Sequence, residues 1–473
     1  MVLKRFYHEK LAQASYLVGS PEAGEALIID PNRDLEQYVE AAAEEGMRIT
    51  TVAETHIHAD YLSGARELAV VTGAQLYLSD EGDKDWKYGY ASETGAKLTK
   101  GGDSFRIGPV RIDVIKTSGH TPEHISFLIT DEANSKEPLG IFSGDFIFVG
   151  DVGRPDLLET AAGVQGTMET GARQLFQSLK SISGLAEHVL VWPGHGAGSA
   201  CGKALGALPV SSMGYERITN WALGAQSEDS FVREVLSGQP EPPAYFAQMK
   251  RLNKEGPPLL SGFRVPPRRL DGRILPKYIA AGIVVIDVRE PEAYMAKHIK
   301  GTLHIPQYKN FITWAGSLVP YDTDLLLIAP EESRAAEAAK DLAMIGLDRV
   351  VGWYGEDVFA EFEGPEGEME PMDQIPASWL LGSLDEFVVV DVRSKSEWDA
   401  GHVPGAIHMP LPSLAKRAQE LPRDRKLILH CEGGVRSTIA VSFLYSIGFR
   451  DVVNVVDGYR AYEKAKREEA LPR

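Results

Sequence analysis

THIHADYLSG, residues Thr55 to Gly64, places His56, His58 and Asp60 at alternating positions after the apolar run ITTVA of residues 49–53. Two imidazoles and a carboxylate at the end of a β-branched run are metal-binding chemistry, because a strand end lets several donors converge on one point. The next residue, Tyr61, bears on how many ions such a stretch can hold.

Working outward, the first half of the chain alternates short β-branched runs with Gly and Asp turns: SYLVGS, EALIID, ITTVAETH, QLYLSD, VRIDVIKTSGH, ISFLIT, LGIFSGDFIF and HVLVWPGHG. Such runs read as strands. Their C-terminal ends carry TSGHTPEH (His120, His124), FSGDF (Asp145) and WPGHG (His195). One isolated histidine is ordinarily a hydrogen-bonded structural residue. A set of His and Asp positions flanked by small residues at strand ends is not explained by packing. A helical segment, 213–238, closes this region, and NKEGPPLLSGFRVPPRR (253–269) reads as a Pro- and Gly-rich linker.

The length of 473 residues predicts about three domains. A net charge of −18 excludes a nucleic-acid backbone or an anionic membrane as the main partner. No stretch reads as a secretory signal or approaches the roughly 20 apolar residues of a spanning helix. Only two cysteines are present, Cys201 and Cys431, which fits a reducing, cytoplasmic setting and no disulfide framework.

Beyond residue 269 lies an internal repeat. IVVIDVREPEAYMAKHIKGTLHIP begins at Ile283 and FVVVDVRSKSEWDAGHVPGAIHMP at Phe387, with ten of 24 positions identical. Each unit reads strand, turn, strand, loop, helix, and residues 361–376 link the two. In the second unit Cys431 follows an apolar strand and opens the loop Cys431–Glu432–Gly433–Gly434–Val435–Arg436 ahead of a helix. Backbone N–H groups, the helix N-terminus and Arg436 all favour a thiolate there. The first unit has Ala329 and Arg334 at the Cys431 and Arg436 positions, and Glu331 and Glu332 in place of the two glycines. It reads as a copy without a nucleophile, a spacer or docking element. Asp287 and Asp391, with His298, His304, His402 and His408, occur in both copies and are therefore expected to be structural.

THIHAD, SGHTPEH, SGD and PGHG in this order resemble the metallo-β-lactamase fold. HADYLSG, IFSGDFIFVGDVGRPD and PGHGAGSACGK are most similar to the persulfide dioxygenases, relatives of the glyoxalase II thioester hydrolases. The Cys431 loop with DVR, GHVPGAIHMP and DGYRAY resembles the rhodanese sulfurtransferases; its Cys-x4-Arg spacing is one residue shorter than a phosphatase loop and suits a single sulfur better than a phosphate.

These resemblances imply an N-terminal αββα sandwich over residues 1–252 and two rhodanese-like α/β domains at 270–362 and 377–470. They imply one Fe(II) per chain on His56, His120 and Asp145, a two-histidine, one-carboxylate set, with zinc as the alternative. His58, Asp60 and His195 would orient ligands and water or serve as alternative ligands, and Tyr61 would remove the second metal. Arg154 in DVGRPD would face the thiol carrier of the substrate, its alternative being a salt bridge. Cys201 is read as packing or regulation rather than catalysis. The expected activity is oxidation of a low-molecular-weight thiol persulfide to sulfite by dioxygen, coupled to sulfur transfer through Cys431 and Arg436 with sulfite or thiosulfate as further reactants. The alternative is a glyoxalase II-like dizinc thioester hydrolase. The carrier thiol, the direction of sulfur flow and homo-oligomerisation stay open.

Overall fold

The computed structural model describes residues 1–160, 166–260, 265–362, 368–382 and 386–469. They form two compact units, one from 1–261 with 344–346 and the other from 262–343 with 347–473.

In the first unit every strand expected above is present: Gln13–Ser20, Glu25–Ile29, Arg48–Ala53, Gln75–Ser79, Val110–Lys116, Ile125–Asp131, Gly140–Gly144 and Leu190–Pro193. The short or half-buried Val2–His8, Lys97–Thr99, Ser104–Ile107 and Ser211–Ser212 complete two six-stranded sheets. Strands buried on both faces explain the continuous apolar runs. Tyr16, Val18, Leu27 and Ile29 of one sheet meet Ile112, Val114, Phe127 and Phe142 of the other. On the outer faces, Leu17 and Ile28 pack with Tyr38 and Ala41 of helix Glu36–Glu44, and Ile141 and Val191 pack with Ala172 and Leu175 of helix Thr167–Ser181. The layers are thus α, β, β, α. Each such aliphatic or aromatic side chain contributes about 1.5–3 kcal/mol by leaving water.

The expected helical segment divides into Met213–Thr219 and Glu228–Leu236. A further helix, Phe246–Glu255, runs through the expected domain end at 252 and the expected linker start at 253. Its sequence, FAQMKRLNKE, buries only Phe246, Met249 and Asn253, so its polar exposed face hid the element.

In the second unit the two repeats fold alike. Val284–Asp287, Leu303–His304, Leu325–Ile328 and Val350–Tyr354 form one parallel sheet. Phe387–Asp391, Ile407–His408, Lys426–His430 and Val452–Val456 form its counterpart, with Gln374–Pro376 added at the edge. Asp287 accepts from the backbone N–H and the guanidinium of Arg289, and Asp391 does the same for Arg393. His304 and His408 each place Nε2 at 3.0 and 2.9 Å from the Arg289 and Arg393 carbonyls. These residues tie strand ends to turns in both copies, as the repeat predicts.

The repeats also share an interface. Helix Val435–Ser446, which follows the Cys431 loop, buries eight consecutive residues from Ser437 to Leu444. Ser442 Oγ accepts from the His304 N–H at 3.0 Å, and Thr438 Oγ1 and Asn454 Nδ2 reach the Met295 sulfur at 3.6 and 3.4 Å. The helix is buried all round because the copy lacking a nucleophile covers one of its sides. The expected linker residues 261–264 and 363–367, and residue 470, lie outside the described residues; the division 1–252, 270–362 and 377–470 is kept as a proposal.

Candidate metal centre and cysteine loop

Four strand ends of the sandwich deliver donors to one buried place. His56 follows Arg48–Ala53, His120 follows Val110–Lys116, Asp145 follows Gly140–Gly144 and His195 follows Leu190–Pro193. His56, His120 and Asp145 offer donor atoms all within 4.8 Å of one another. Asp145 Oδ2 lies 3.9 Å from His56 Nε2 and 3.5 Å from His120 Nε2. A Cβ on Gly194 would stand 2.7 Å from Asp145 Oδ1, so this turn needs glycine to leave the carboxylate room.

The tautomer of each imidazole follows from its other nitrogen. Thr55 spends its hydroxyl proton on Asp30 Oδ2 at 2.8 Å and therefore accepts from His56 Nδ1 at 2.9 Å. His120 Nδ1 donates to the Arg154 carbonyl at 2.8 Å, and His195 Nδ1 to the Ala12 carbonyl at 3.0 Å. All three rings thus present an Nε2 lone pair to the centre, as a metal requires. Burial, with crowding by neighbouring imidazoles, holds His56 well below the usual histidine range, and burial lowers His120. Burial opposes ionisation of Asp145, but the adjacent His195 and His120 outweigh it and keep the carboxylate low. His56 Nε2 and both Asp145 oxygens are buried without a hydrogen-bond partner. Orphaned lone pairs of this kind cost about 1–3 kcal/mol each unless something binds them, and the donor set fits a metal ion.

The remaining expected residues divide. Asp60 and His195 stay at the centre, with His195 Nε2 3.3 Å from Asp60 Oδ2 and 3.4 Å from Asp145 Oδ1. Cys201, whose thiol is buried, offers a third donor within 4.8 Å of these two. Burial and the Asp145 and Asp60 charges push that thiol well up. His58 instead belongs to a group with Asp30 and Glu54, at 3.3 and 3.2 Å. Burial alone would lower it; the two carboxylates prevail and raise it well above its ordinary value. His124 carries no donor to the centre. Its Nε2 accepts the Asp145 N–H at 3.0 Å, and burial drops its pKa to about 3, which keeps it neutral for that bond.

Tyr61 is fully buried, and its hydroxyl donates to the Asp30 carbonyl at 3.2 Å and accepts from Gln13 Nε2 at 3.3 Å. Burial and nearby carboxylates push it well above its ordinary pKa, which disfavours a phenolate ligand. For Arg154 the salt-bridge alternative is the arrangement observed: its guanidinium pairs with both Asp156 oxygens at 2.8 and 2.7 Å and donates to the Ala200 and Pro240 carbonyls. Desolvating a guanidinium is tolerable only when its donors are met in this way, which is why the side chain is 1% exposed.

Sequence reasoning missed helix Phe246–Glu255. Asn253 Nδ2 donates to the His58 and Tyr61 carbonyls at 2.8 and 2.7 Å, and its Oδ1 accepts from the Ser63 N–H at 2.9 Å. One turn earlier, Lys250 lies 4.0 Å above the Trp86 ring, and its charge acts on Glu123 and His120. Burial lowers the Lys250 ammonium and raises the Glu123 carboxyl, while each partner's charge opposes the other's shift.

In the second unit, Cys431 is buried at the end of Lys426–His430, and its sulfur accepts from the Gly434 N–H at 3.1 Å. Gly434 has φ +98°, a left-handed turn that favours glycine and aims its N–H at the sulfur. A Cβ on Gly433 would meet nothing within 4 Å, so the loop opens outward there. Glu432 lies on Arg393, Oε2 to Nη1 at 3.3 Å, and Val435 starts the helix. Arg436 is held in a two-point pair by Glu397, at 2.7 and 2.6 Å. In the first copy Ala329 is buried and Arg334 pairs with Glu337.

Comparison with known proteins accounts for both halves. The model of the metallo-beta-lactamase superfamily matches residues 9–195, and that of the rhodanese-like domain matches 275–356 and 376–465. A metallo-beta-lactamase from Staphylococcus aureus, known as a crystal structure, is 43% identical with a TM-score of 0.66, over 75% of this chain and 98% of that one. The chain belongs to the metallo-β-lactamase superfamily and carries two rhodanese-like domains. Bovine mitochondrial persulfide dioxygenase ETHE1 is 25% identical over 48% of this chain and 78% of its own length. The hydroxyacylglutathione hydrolase of a Polaromonas species is 32% identical over 38% of this chain, which spans 61% of that relative. No helix among the described residues is long and apolar enough to cross a membrane.

Proposed function

We propose that this superfamily member is a single-iron persulfide dioxygenase fused to a sulfurtransferase. The substrate would be a low-molecular-weight thiol persulfide, R–S–SH. With dioxygen and water it gives R–SH and sulfite, two oxygens of the sulfite coming from dioxygen and the third from water. The observation that carries the reading is the convergence of three lone-pair donors, His56, His120 and Asp145, beside a Tyr61 whose hydroxyl is committed to Asp30. His56, His120 and Asp145 would hold the ferrous iron, and the metal would supply activation of dioxygen toward the persulfide sulfur.

The protein's own part is orientation and desolvation. Thr55 and the Arg154 and Ala12 carbonyls fix the ring planes, and Asn253 fixes the loop that carries His58 to Ser63. Lys250 is the cation proposed to steer an anionic persulfide carrier, in place of Arg154. At the other site Cys431 accepts a sulfane sulfur as its own persulfide and passes it to a thiol or to sulfite, the latter giving thiosulfate. Two sites on one chain raise the effective concentration of a reactive intermediate. Two free cysteines agree with a reducing, cytoplasmic setting.

A second reading is favoured by one observation: Asp60, His195 and Cys201 also gather as donors. It is a glyoxalase II-like hydrolase with two zinc ions and a thioester substrate. Metal content of anaerobically prepared protein, with oxygen uptake across a panel of persulfides, separates the two. One iron per chain and oxygen consumed in step with persulfide are expected. Two zinc ions and no oxygen uptake would sink the dioxygenase. Oxygen uptake on supplied persulfide is expected to survive Cys431→Ser.

A further inference from the structure

The charge around Cys431 is unlike that of a loop built to collect a dianion. Arg436, its nearest cation, is paired at two points with Glu397, and each side chain of that pair is about 70% buried, at 26% and 31% exposure. Glu397 is itself held. It sits at the third position of helix Lys395–Ala400 in a capping box with Ser394, which donates to Oε2 from its N–H at 2.9 Å and from its hydroxyl at 2.8 Å. A second carboxylate, Glu432, follows the nucleophile directly and lies on Arg393, whose charge is already matched by Asp391. Arg460 approaches Glu432 only at 3.7 Å and is largely exposed. Arg436, Arg393 and the largely exposed Arg460 are thus each matched by a carboxylate, Glu397, Asp391 and Glu432. At the sulfur itself an anion is favoured by the Gly434 N–H at 3.1 Å, the Ser437 hydroxyl at 3.6 Å and the helix start.

The internal copy supplies a control. Where Cys431 becomes Ala329, Glu397 becomes Ala293, and Arg334 turns to Glu337 on its own helix. The cross-loop carboxylate is present only where the nucleophile is.

We propose that Glu397 and Glu432 set the donor preference of this site: by neutralising Arg436 and Arg393 they favour transfer from a persulfide and discriminate against the thiosulfate dianion. The inference rests on reading Cys431 as the sulfur-accepting nucleophile. With a persulfide, the Cys431 thiolate attacks the terminal sulfur of R–S–SH, an S–S bond forms at Cys431, the R–S bond to that sulfur breaks, and R–S⁻ leaves. With thiosulfate the same attack expels sulfite as a dianion and leaves Cys431 as the ionised persulfide, so two more negative charges must approach, and one more must depart, past Glu397 and Glu432. Both transfers move a neutral sulfur atom and need no outside oxidant.

The test uses the full chain with two donors, thiosulfate and the persulfide of 2-mercaptoethanol, whose tail is uncharged, and cyanide as acceptor. Glu397→Gln keeps the capping geometry, since glutamine fills the same position of a capping box. It is expected to raise the thiosulfate-to-persulfide ratio of kcat/KM about tenfold at low salt, the increase shrinking as salt screens the site. Glu432→Gln, which leaves the Arg436 pair intact, is expected to move the ratio the same way by a smaller factor, and Glu397→Asp to restore it. A ratio unchanged in both glutamine variants overturns the proposal, as does a fall in the thiosulfate rate alone, which would make Glu397 a support for Arg436 and nothing more. Intact mass after donor treatment separates this failure from that of the underlying reading. If Cys431 gains no 32-Da sulfur from either donor (one sulfur atom, by general chemistry), the sulfur-transfer reading itself is lost.

Discussion

Asn253 donates to the carbonyl oxygen of Tyr61 at 2.7 Å, from a helix that the local sequence pattern reads as the start of a linker. The same amide engages His58 and Ser63, so the loop bearing Asp60 is fixed by a residue nearly two hundred positions away. Removing it leaves two buried carbonyls and one N–H unpaired. Asn253→Ala is expected to cost about 2–4 kcal/mol of stability and to weaken metal retention. Thermal unfolding with and without metal measures both, and a stable variant with unchanged metal affinity would remove Asn253 from the site. A chain ending at residue 252 is expected to fail in the same way.

Thr55 is the acceptor that fixes His56 Nδ1. Thr55→Val, nearly the same shape, is expected to lower metal affinity about 10–100-fold, and Thr55→Ser to keep most of it. Chelator competition on the metal-loaded protein reads this directly. Equal affinity in Thr55→Val would mean the ring is held by packing alone.

Arg154 and Lys250 are expected to respond oppositely. Arg154→Met strands the buried Asp156 carboxylate and should cost about 3–5 kcal/mol, seen in the unfolding midpoint. Lys250→Met should leave the midpoint nearly in place and raise KM for an anionic persulfide several-fold. A raised KM without destabilisation in Arg154→Met would return that residue to the substrate.

Arg436 holds the Glu397 carboxyl at about 2, below its ordinary 4.5. A carboxylate depressed in the folded state adds stability above its unfolded pKa, and the gain is lost as pH falls toward the folded value. Discounted for partial exposure, the pair contributes about 1 kcal/mol. The gap in denaturant midpoint between the protein and Glu397→Gln should therefore narrow as pH falls from about 5 to about 3. A gap independent of pH would show that the ion pair contributes nothing.

Much of this molecule was legible in its sequence because the features are local. Doubly buried strands write themselves as apolar runs, the donors sit at the ends of those runs, and the duplicated DVR turn supplied its own control. What escaped depends on tertiary partners. His58 has the same local setting as His56, yet Asp30, a strand away, claims it. Arg154 reads as a cation for the thiol carrier or a salt bridge, and only the fold shows the Ala200 and Pro240 carbonyls closing around it. Helix Phe246–Glu255 buries too few residues to mark a periodicity, and its chemistry lies in one amide. Glu397 was not singled out in the sequence, because only the fold brings Arg436 to it.

The helix behind Cys431 has no wet side, and this has a consequence for how such a chain can change over time. A duplicated domain that has shed its nucleophile is ordinarily free to erode or to be deleted. Here deletion would bare one side of a helix that is buried from Ser437 to Leu444, immediately behind the reactive sulfur. The silent copy therefore serves its sibling as a dry wall, a dependence that the sulfur chemistry alone does not reveal.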